Sequence, residues 1–260
     1  MSDSIHRASF ADQTVSVPNV ADLCWLCIDT CSAYLCVALG SGADFDSRVQ
    51  PGKNRSSIDL VPVIKELLRK RGVKKPDAIL VTVGPGSFTG TRIGVSTARN
   101  LAMLWKIPVA SIYSLQLYAE PLLSPGPEPL KAPARDSEFS PFMVSLDGKQ
   151  NRFYSLAVGG PESVYHTRQQ QLQDLRPEEV LAAVAPGDRI YCDEWALLKE
   201  RLPEPREVLP LPQPEPHSFF RLLERAQPGP GHYESLIPVY VRSDPATAKY
   251  PEGFHHKPGN

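Results

Sequence analysis

The run Gly84-Pro85-Gly86-Ser87-Phe88-Thr89-Gly90-Thr91-Arg92-Ile93-Gly94-Val95 holds the residues best suited to chemistry in this chain. Glycines at 84, 86 and 90 point to a backbone that needs unusual φ angles or close approach by another group. Such a loop, set before a helix, can present N–H groups to an anion. The lysine of a Walker phosphate loop is missing, because Thr91-Arg92 follows Gly90. The dinucleotide fingerprint G-x-G-x-x-G fails as well, its last glycine falling one residue late. The other role for the run is packing. Gly90, Gly94, Ala98 and Ala102 recur every four residues and line one helix face, bare enough for another backbone to come very near. That neighbour is a nucleotide, the rest of the same domain, or a second protein.

Few other groups suit catalysis. Asp29 is the best-placed lone carboxylate, at the tip of an opening hairpin, where nucleotide-binding hairpin folds hold phosphate- or metal-facing aspartates. An Asx hydrogen bond within the turn is its alternative role. Ser87 lies in no G-x-S-x-G elbow and reads as a helix cap. The six histidines include no pair at i, i+4 spacing, so no metal site is expected. Cys24-x-x-Cys27 has no second ligand pair, and residues three apart on a strand face opposite sides of a sheet. The cysteines are therefore expected as small core residues.

The elements that would carry these groups follow from periodicity. Residues 23–29 and 33–39 read as a β-hairpin closed by Gly40–Gly42, with 43–50 a weaker third strand. A helix follows from 54–57 to Arg71-Gly72, its stripe formed by Leu60, Val61, Ile64, Leu67 and Leu68, with Ser57 or Asp59 to cap it. Strand 78–83, the glycine loop, helix 91–105, a short strand at 108–110 and helix 114–120 complete a β-β-(β)-α-β-α-β-α order, hence a mixed sheet with helices on its faces. A second unit is expected from Pro141: strands 142–146 and 152–158 around an Asp147–Asn151 turn, helix 177–184, strand 189–192, helices 194–201 and 217–227, and an extended 238–242. Residues 121–140 and 203–216 are proline-rich connections, and no internal repeat of 20–50 residues is visible.

The division expected is a polar extension at 1–21, a first subdomain of 22–120 plus 217–242, a second of 121–216, and a tail at 243–260. A formal net charge of −1 provides no footprint for nucleic acid or an anionic membrane. No apolar run approaches membrane-spanning length and the N-terminus lacks a signal-peptide layout, so a cytoplasmic location is expected.

Several segments resemble one family. Ile28-Asp29-Thr30-Cys31-Ser32 is similar to its opening hairpin, and the run from Val83 to Ala98 matches its most specific motif almost letter for letter. Asp147-Gly148-Lys149-Gln150-Asn151-Arg152-Phe153-Tyr154 is more loosely similar to its DARRGEVY-type turn, and Pro238-Val239-Tyr240-Val241-Arg242 to its closing PxYLR. The family is TsaB (YeaZ), bacterial tRNA threonylcarbamoyladenosine biosynthesis proteins. The resemblance implies an α/β fold of the actin/Hsp70/sugar-kinase superfamily, with two related subdomains of mixed sheets flanked by helices. It implies a catalytically inactive paralogue of the transferase TsaD. That paralogue binds TsaD and, with the ATPase TsaE, supports threonylcarbamoylation of adenosine 37 in ANN-decoding tRNAs. The chain alone would need no cofactor, with ATP or ADP and metal on the partner subunits, and would meet tRNA only through the complex. Family interfaces, with TsaD or in a homodimer, use helices of the first subdomain, here Ser57–Arg71 and Thr91–Trp105; the residues this implies are Leu60, Ile64 and Leu67 on the first, and Arg92, Ile93, Gly94, Thr97, Ala98 and Leu101 on the second with Gly86, Ser87, Phe88, Thr89 and Gly90 of the loop before it. Asp29 and Thr30 would serve a nucleotide or the turn. Many relatives carry His-Ser-Glu where this chain has Ser56-Ser57-Ile58. The alternative function is a small-molecule kinase or ATPase of the same superfamily acting alone.

Overall fold

The computed structural model describes residues 22–52, 55–123 and 139–242. The expectations for 1–21, for 243–260 and for most of the 121–140 connection lie outside those residues. Strands β1 (Trp25–Asp29), β2 (Tyr34–Ser41) and β3 (Asp44–Pro51) form an antiparallel meander. Helix α1 (Ser56–Arg71) crosses to β4 (Ala78–Thr82), and α2 (Phe88–Trp105) crosses to β5 (Val109–Ile112). The sheet order is β3-β2-β1-β4-β5, with β1, β4 and β5 parallel. Helix α3 (Ser114–Ala119) leads out of it.

The second half repeats the plan. It comprises β6 (Phe142–Asp147), β7 (Phe153–Val158), α4 (Pro161–Tyr165), β8 (Gln173–Leu175), α5 (Pro177–Ala182), β9 (Arg189–Cys192), α6 (Trp195–Arg201) and β10 (Val208–Pro210). Its order is β10-β9-β6-β7-β8, again a meander whose first strand is extended by two parallel neighbours. Helix α7 (His217–Ala226) closes the order. The repetition is one of topology and not of residue identity, which is why self-similarity in the sequence does not reveal it.

Strand alternation sorts the apolar residues into layers. Leu26, Ile28, Val37, Ile79 and Val81 face α1 and α2, meeting Leu60, Ile64, Leu67, Val95, Ala98 and Ala102. Trp25, Cys27, Cys36 and Leu80 face the other way, into a layer of α3 and α7 shared with Phe142, Val144 and Leu156 of the second sheet. Met143, Phe153, Ile190 and Cys192 then meet Val180 of α5 and Leu198 of α6. Cys24 and Cys27 fall on opposite faces of the first sheet, as strand geometry requires.

Several local expectations are corrected. Helix α2 begins at Phe88 and not at 91, because the Ser87 Oγ accepts from the Gly90 amide at 3.2 Å and caps it. Neither Ser57 nor Asp59 caps α1: the helix starts after Arg55 without a side-chain cap, and Asp59 is held by Arg55 at 3.0 Å. Gly72 does end α1, in the left-handed region at φ 68°. Val61 points outward and Val63 takes its place in the stripe. The short strands β8 and β10 were not expected. β10 is an edge strand whose last residue is a proline, which a proline-rich stretch conceals.

Candidate functional site

The glycine loop closes directly on the β1–β2 turn. A Cβ on Gly86 would lie 2.1 Å from the Cys31 carbonyl oxygen, and one on Gly90 would lie 2.0 Å from that of Thr30. On Gly94 it would lie 2.4 Å from Thr30 Oγ1. Only glycine fits at these three contacts. The Ser87 amide donates to the Cys31 carbonyl at 2.6 Å, the Thr91 amide to the Ser87 carbonyl at 2.8 Å, and Thr30 Oγ1 to the Gly90 carbonyl at 2.7 Å. The loop therefore meets carbonyl oxygens where a phosphate would need donors.

Beneath the loop, Asp29 is fully buried. Its Oδ1 accepts from the Cys31 amide at 3.1 Å, an Asx turn, and from the Thr82 hydroxyl at 2.5 Å. The Cys31 thiol lies 3.2 Å from Thr82 Oγ1, which is already a donor to Asp29, so the thiol donates. Burial pushes the Asp29 carboxyl above its ordinary value, against the pull of the Thr82 and Cys31 hydrogen bonds. It pushes the Cys31 thiol up to about 12, with the Asp29 charge adding to the effect. A thiol held protonated in this way is no nucleophile. Asp29 and Thr30 are thus both bonded within the turn and to the elements packed on it. Asp29 Oδ2 is a buried oxygen without a hydrogen-bond partner among the described residues. No group of three or more His, Cys, Asp or Glu there is placed to hold a metal ion.

Between the halves lies a cleft of about 770 Å³, one lip formed by Ser32, Ser57 and Thr89 and the other by Asp147, Lys149 and Asp193. The second lip is a turn in which Lys149, Gln150 and Asn151 all take positive φ, 64°, 55° and 60°. Three successive left-handed residues without glycine are a strained conformation. Asp193 Oδ1 accepts from the amides of Asp147 at 2.8 Å and Glu194 at 2.9 Å, fixing the base of the turn. Desolvation raises the Asp193 carboxyl to about 6; the charges of Asp147 and Glu194 add to the rise and the two amides oppose it.

The outer faces of α1 and α2 are a different kind of surface. Four of the eight large hydrophobic side chains exposed among the described residues lie there, Ile58 at 64%, Val61 at 42%, Met103 at 53% and Leu104 at 72%; a fifth, Phe88 at 53%, stands where the start of α2 meets the cleft. Half-buried Ile93, Thr97 and Leu101, at four-residue spacing, lead to Leu104 along one edge of α2.

The expected interface residues divide between these two environments. Ser87, Phe88, Thr89 and Arg92 are exposed, and Gly86, Ile93, Thr97 and Leu101 are half-buried. Gly90, Gly94, Ala98, Leu60, Ile64 and Leu67 are buried inside their own half, and this corrects the reading of the small-residue stripe as a docking platform. Its neighbour is the β1–β2 turn and the first sheet. A face of small residues reports close approach but does not say by what. Ile58, Met103 and Leu104 were missed. Their signal was present in apolar residues falling off the core stripe of each helix.

The comparisons with known proteins agree on kinship. A family model described as TsaD, tRNA N6-adenosine threonylcarbamoyltransferase, matches residues 52–182, half of the chain. The chain is 39% identical over 56 residues to a tRNA N6-adenosine threonylcarbamoyltransferase of Corynebacterium diphtheriae, covering 22% of this chain and 16% of that protein. It is 33% identical over 95 residues to the tRNA threonylcarbamoyladenosine biosynthesis protein TsaB of Buchnera aphidicola, covering 36% of this chain and 41% of that one. The chain spans less than half the length of the curated relatives it matches. A solved Pseudomonas aeruginosa protein described as similar to peptidase YEAZ shares the fold, with a TM-score of 0.64 at 23% identity over 84% of this chain and 99% of that one. Such a likeness speaks for the two-sheet α/β architecture alone. By the match of half its length to that model the chain belongs to the TsaD family, and by its sequence relatives to the TsaB/YeaZ members of it.

Proposed function

We propose that the chain is a noncatalytic subunit in tRNA threonylcarbamoyladenosine biosynthesis, docking to a TsaD-type transferase through the outer faces of α1 and α2. The observation that carries this reading is the concentration of exposed apolar side chains there, four on two helices, with Phe88 exposed at the start of α2. An isolated exposed leucine needs no explanation, but a set of large apolar side chains on adjoining helices suits a protein interface. The interior supports the same reading. The glycine loop meets carbonyl oxygens, the Cys31 thiol stays protonated, and the carboxylate at the hairpin tip is buried.

In this reading a TsaE-type ATPase joins the transferase, ATP and metal chemistry belongs to those subunits, and this chain requires no cofactor. The same face would serve a homodimer when the transferase is absent, and tRNA is met through the assembly. The setting is cytoplasmic; among the described residues no helix is long and apolar enough to cross a membrane. The test is turnover. The purified chain alone should neither hydrolyse ATP nor modify tRNA, and adding it to transferase and ATPase should raise modification. Nucleotide hydrolysis by the pure chain would favour the lone kinase or ATPase instead.

A further inference from the structure

We propose that residues 238–242 act as a latch that ties the two lips of the cleft together. Leu236 is buried in the core under α2, and the Val239 amide donates to the Val83 carbonyl at 2.7 Å. Tyr240 then reaches α2: its hydroxyl accepts from Arg92 Nε at 2.8 Å, and its ring lies 5.3 Å from that of Phe88. The Arg92 guanidinium covers the Phe88 ring at 3.7 Å. Two residues on, the chain is fixed to the other half. Arg242 Nε and Nη2 each lie 2.9 Å from one of the two carboxylate oxygens of Asp174 in β8. Arg152, just before β7, holds the same carboxylate at 2.7 Å. Tyr240 and Arg242 both line the cleft.

The placement makes this a latch and not one more surface contact. Away from the cleft, the halves share the apolar layer of α3 and α7, which serves as the hinge side. At the mouth the segment crosses from Tyr240 to Arg242, a span of under about 10 Å of extended chain. Its two ends differ in strength. Arg242 makes a bidentate, charge-assisted pair with a largely buried carboxylate. Tyr240 rests on two exposed side chains of α2 and can leave them without disturbing a core. A protein seated on the start of α2 would compete with Tyr240 for Phe88 and Arg92 and so release the lips. That last consequence rests on the docking reading above; the latch itself does not.

Amide exchange on the isolated full chain tests it without any partner. Reporter amides are Ser87 and Gly90 on the first lip and Gly148 and Arg152 on the second, each hydrogen-bonded within its own lip. Tyr240→Ala, whose lost polar contact is to Arg92 alone, should speed exchange at 148–152 across the cleft by about threefold or more. Arg242→Ala should do the same at 87–90, and the double variant should be no faster than Arg242→Ala. Amides of β1 and β4 should keep their wild-type rates. Faster exchange confined to each variant's own side of the cleft would overturn the latch. If Arg242→Ala lowers the unfolding temperature enough to blur the reading, Tyr240→Phe decides, since it removes only the hydroxyl. Unchanged exchange at 148–152 in that variant, with Arg242→Ala unfolded, also overturns it.

Discussion

The two halves end their first strands alike, each with an aspartate at a turn, and then diverge. Asp29 closes β1 and is sealed under the glycine loop, its partners Thr82 and the Cys31 amide. Asp147 closes β6 and lines the cleft, accepting from the Lys149 amide at 2.8 Å, with the Lys149 ammonium beside it. The segment after the fourth strand of each half makes the difference. After β4, a glycine loop lets an eighteen-residue helix press onto the turn. After β9, Asp193-Glu194 and a seven-residue helix leave the turn open. One topology thus yields a closed, rigid support on one side and a polar lip on the other. The closed half leaves its helices only their outer faces for contact.

The largest test of that contrast lies in the glycines. Gly90→Val should cost about 3 kcal/mol or more, since its Cβ would overlap the Thr30 carbonyl at 2.0 Å and neither backbone can yield easily. Gly148→Ala in the open turn, whose nearest neighbour would be 3.1 Å away, should cost under about 1 kcal/mol in the same denaturant titration. Equal losses would erase the contrast. Gly94→Leu is likewise a folding variant and not a clean probe of docking, because Thr30 Oγ1 occupies the space at 2.4 Å.

A smaller effect is expected one layer down. Thr82→Val removes the hydroxyl from Asp29 Oδ1 and leaves a buried carboxyl short of a donor, for a loss of about 1–3 kcal/mol. Lys149→Ala, its ammonium largely in solvent, should leave the unfolding temperature unchanged.

Asp193 offers a pH-dependent comparison. Its carboxyl is raised in the folded state to about 6, so between about pH 4 and pH 6 the folded chain binds more protons than the unfolded one. Stability supplied by the protonated group is complete below about pH 4 and is lost as pH rises through 6. Asp193→Asn keeps an acceptor for the Asp147 and Glu194 amides without the charge. It should flatten the stability profile across that window and raise stability at pH 7 by about 1–2 kcal/mol. An unchanged profile would mean that the lip is more hydrated than its geometry suggests.

Much of the fold was legible because alternation and helical spacing report burial directly. The hairpin, α1, β4, α2 and the β6–β7 pair are all readable from them. β8 and β10 were not legible, since three-residue edge strands owe their existence to pairing with β7 and β9 and carry little signal of their own. The cap of α1 was misread because Asp59 finds Arg55 and Gln50 instead of the helix terminus. At the candidate site, Gly86, Gly90 and Gly94 announced a close approach, but the approaching atoms belong to Thr30 and Cys31, sixty residues earlier in the chain for Gly90. Only the tertiary structure separates that case from a second subunit. The outward apolar residues were readable in principle as positions out of phase with the core stripe.

The central claim is that contact with a transferase is made by the outer face of α1 and α2 and not by the small-residue stripe. The direct measurement is the affinity of a TsaD-type transferase for the wild-type chain and for Leu104→Glu, with thermal unfolding followed in both. Leu104 is largely exposed, so the substitution should change stability by under about 0.5 kcal/mol. The account predicts a loss of affinity of about a hundredfold, as expected when a charge replaces an interface anchor. Wild-type affinity in a stably folded Leu104→Glu chain would contradict it.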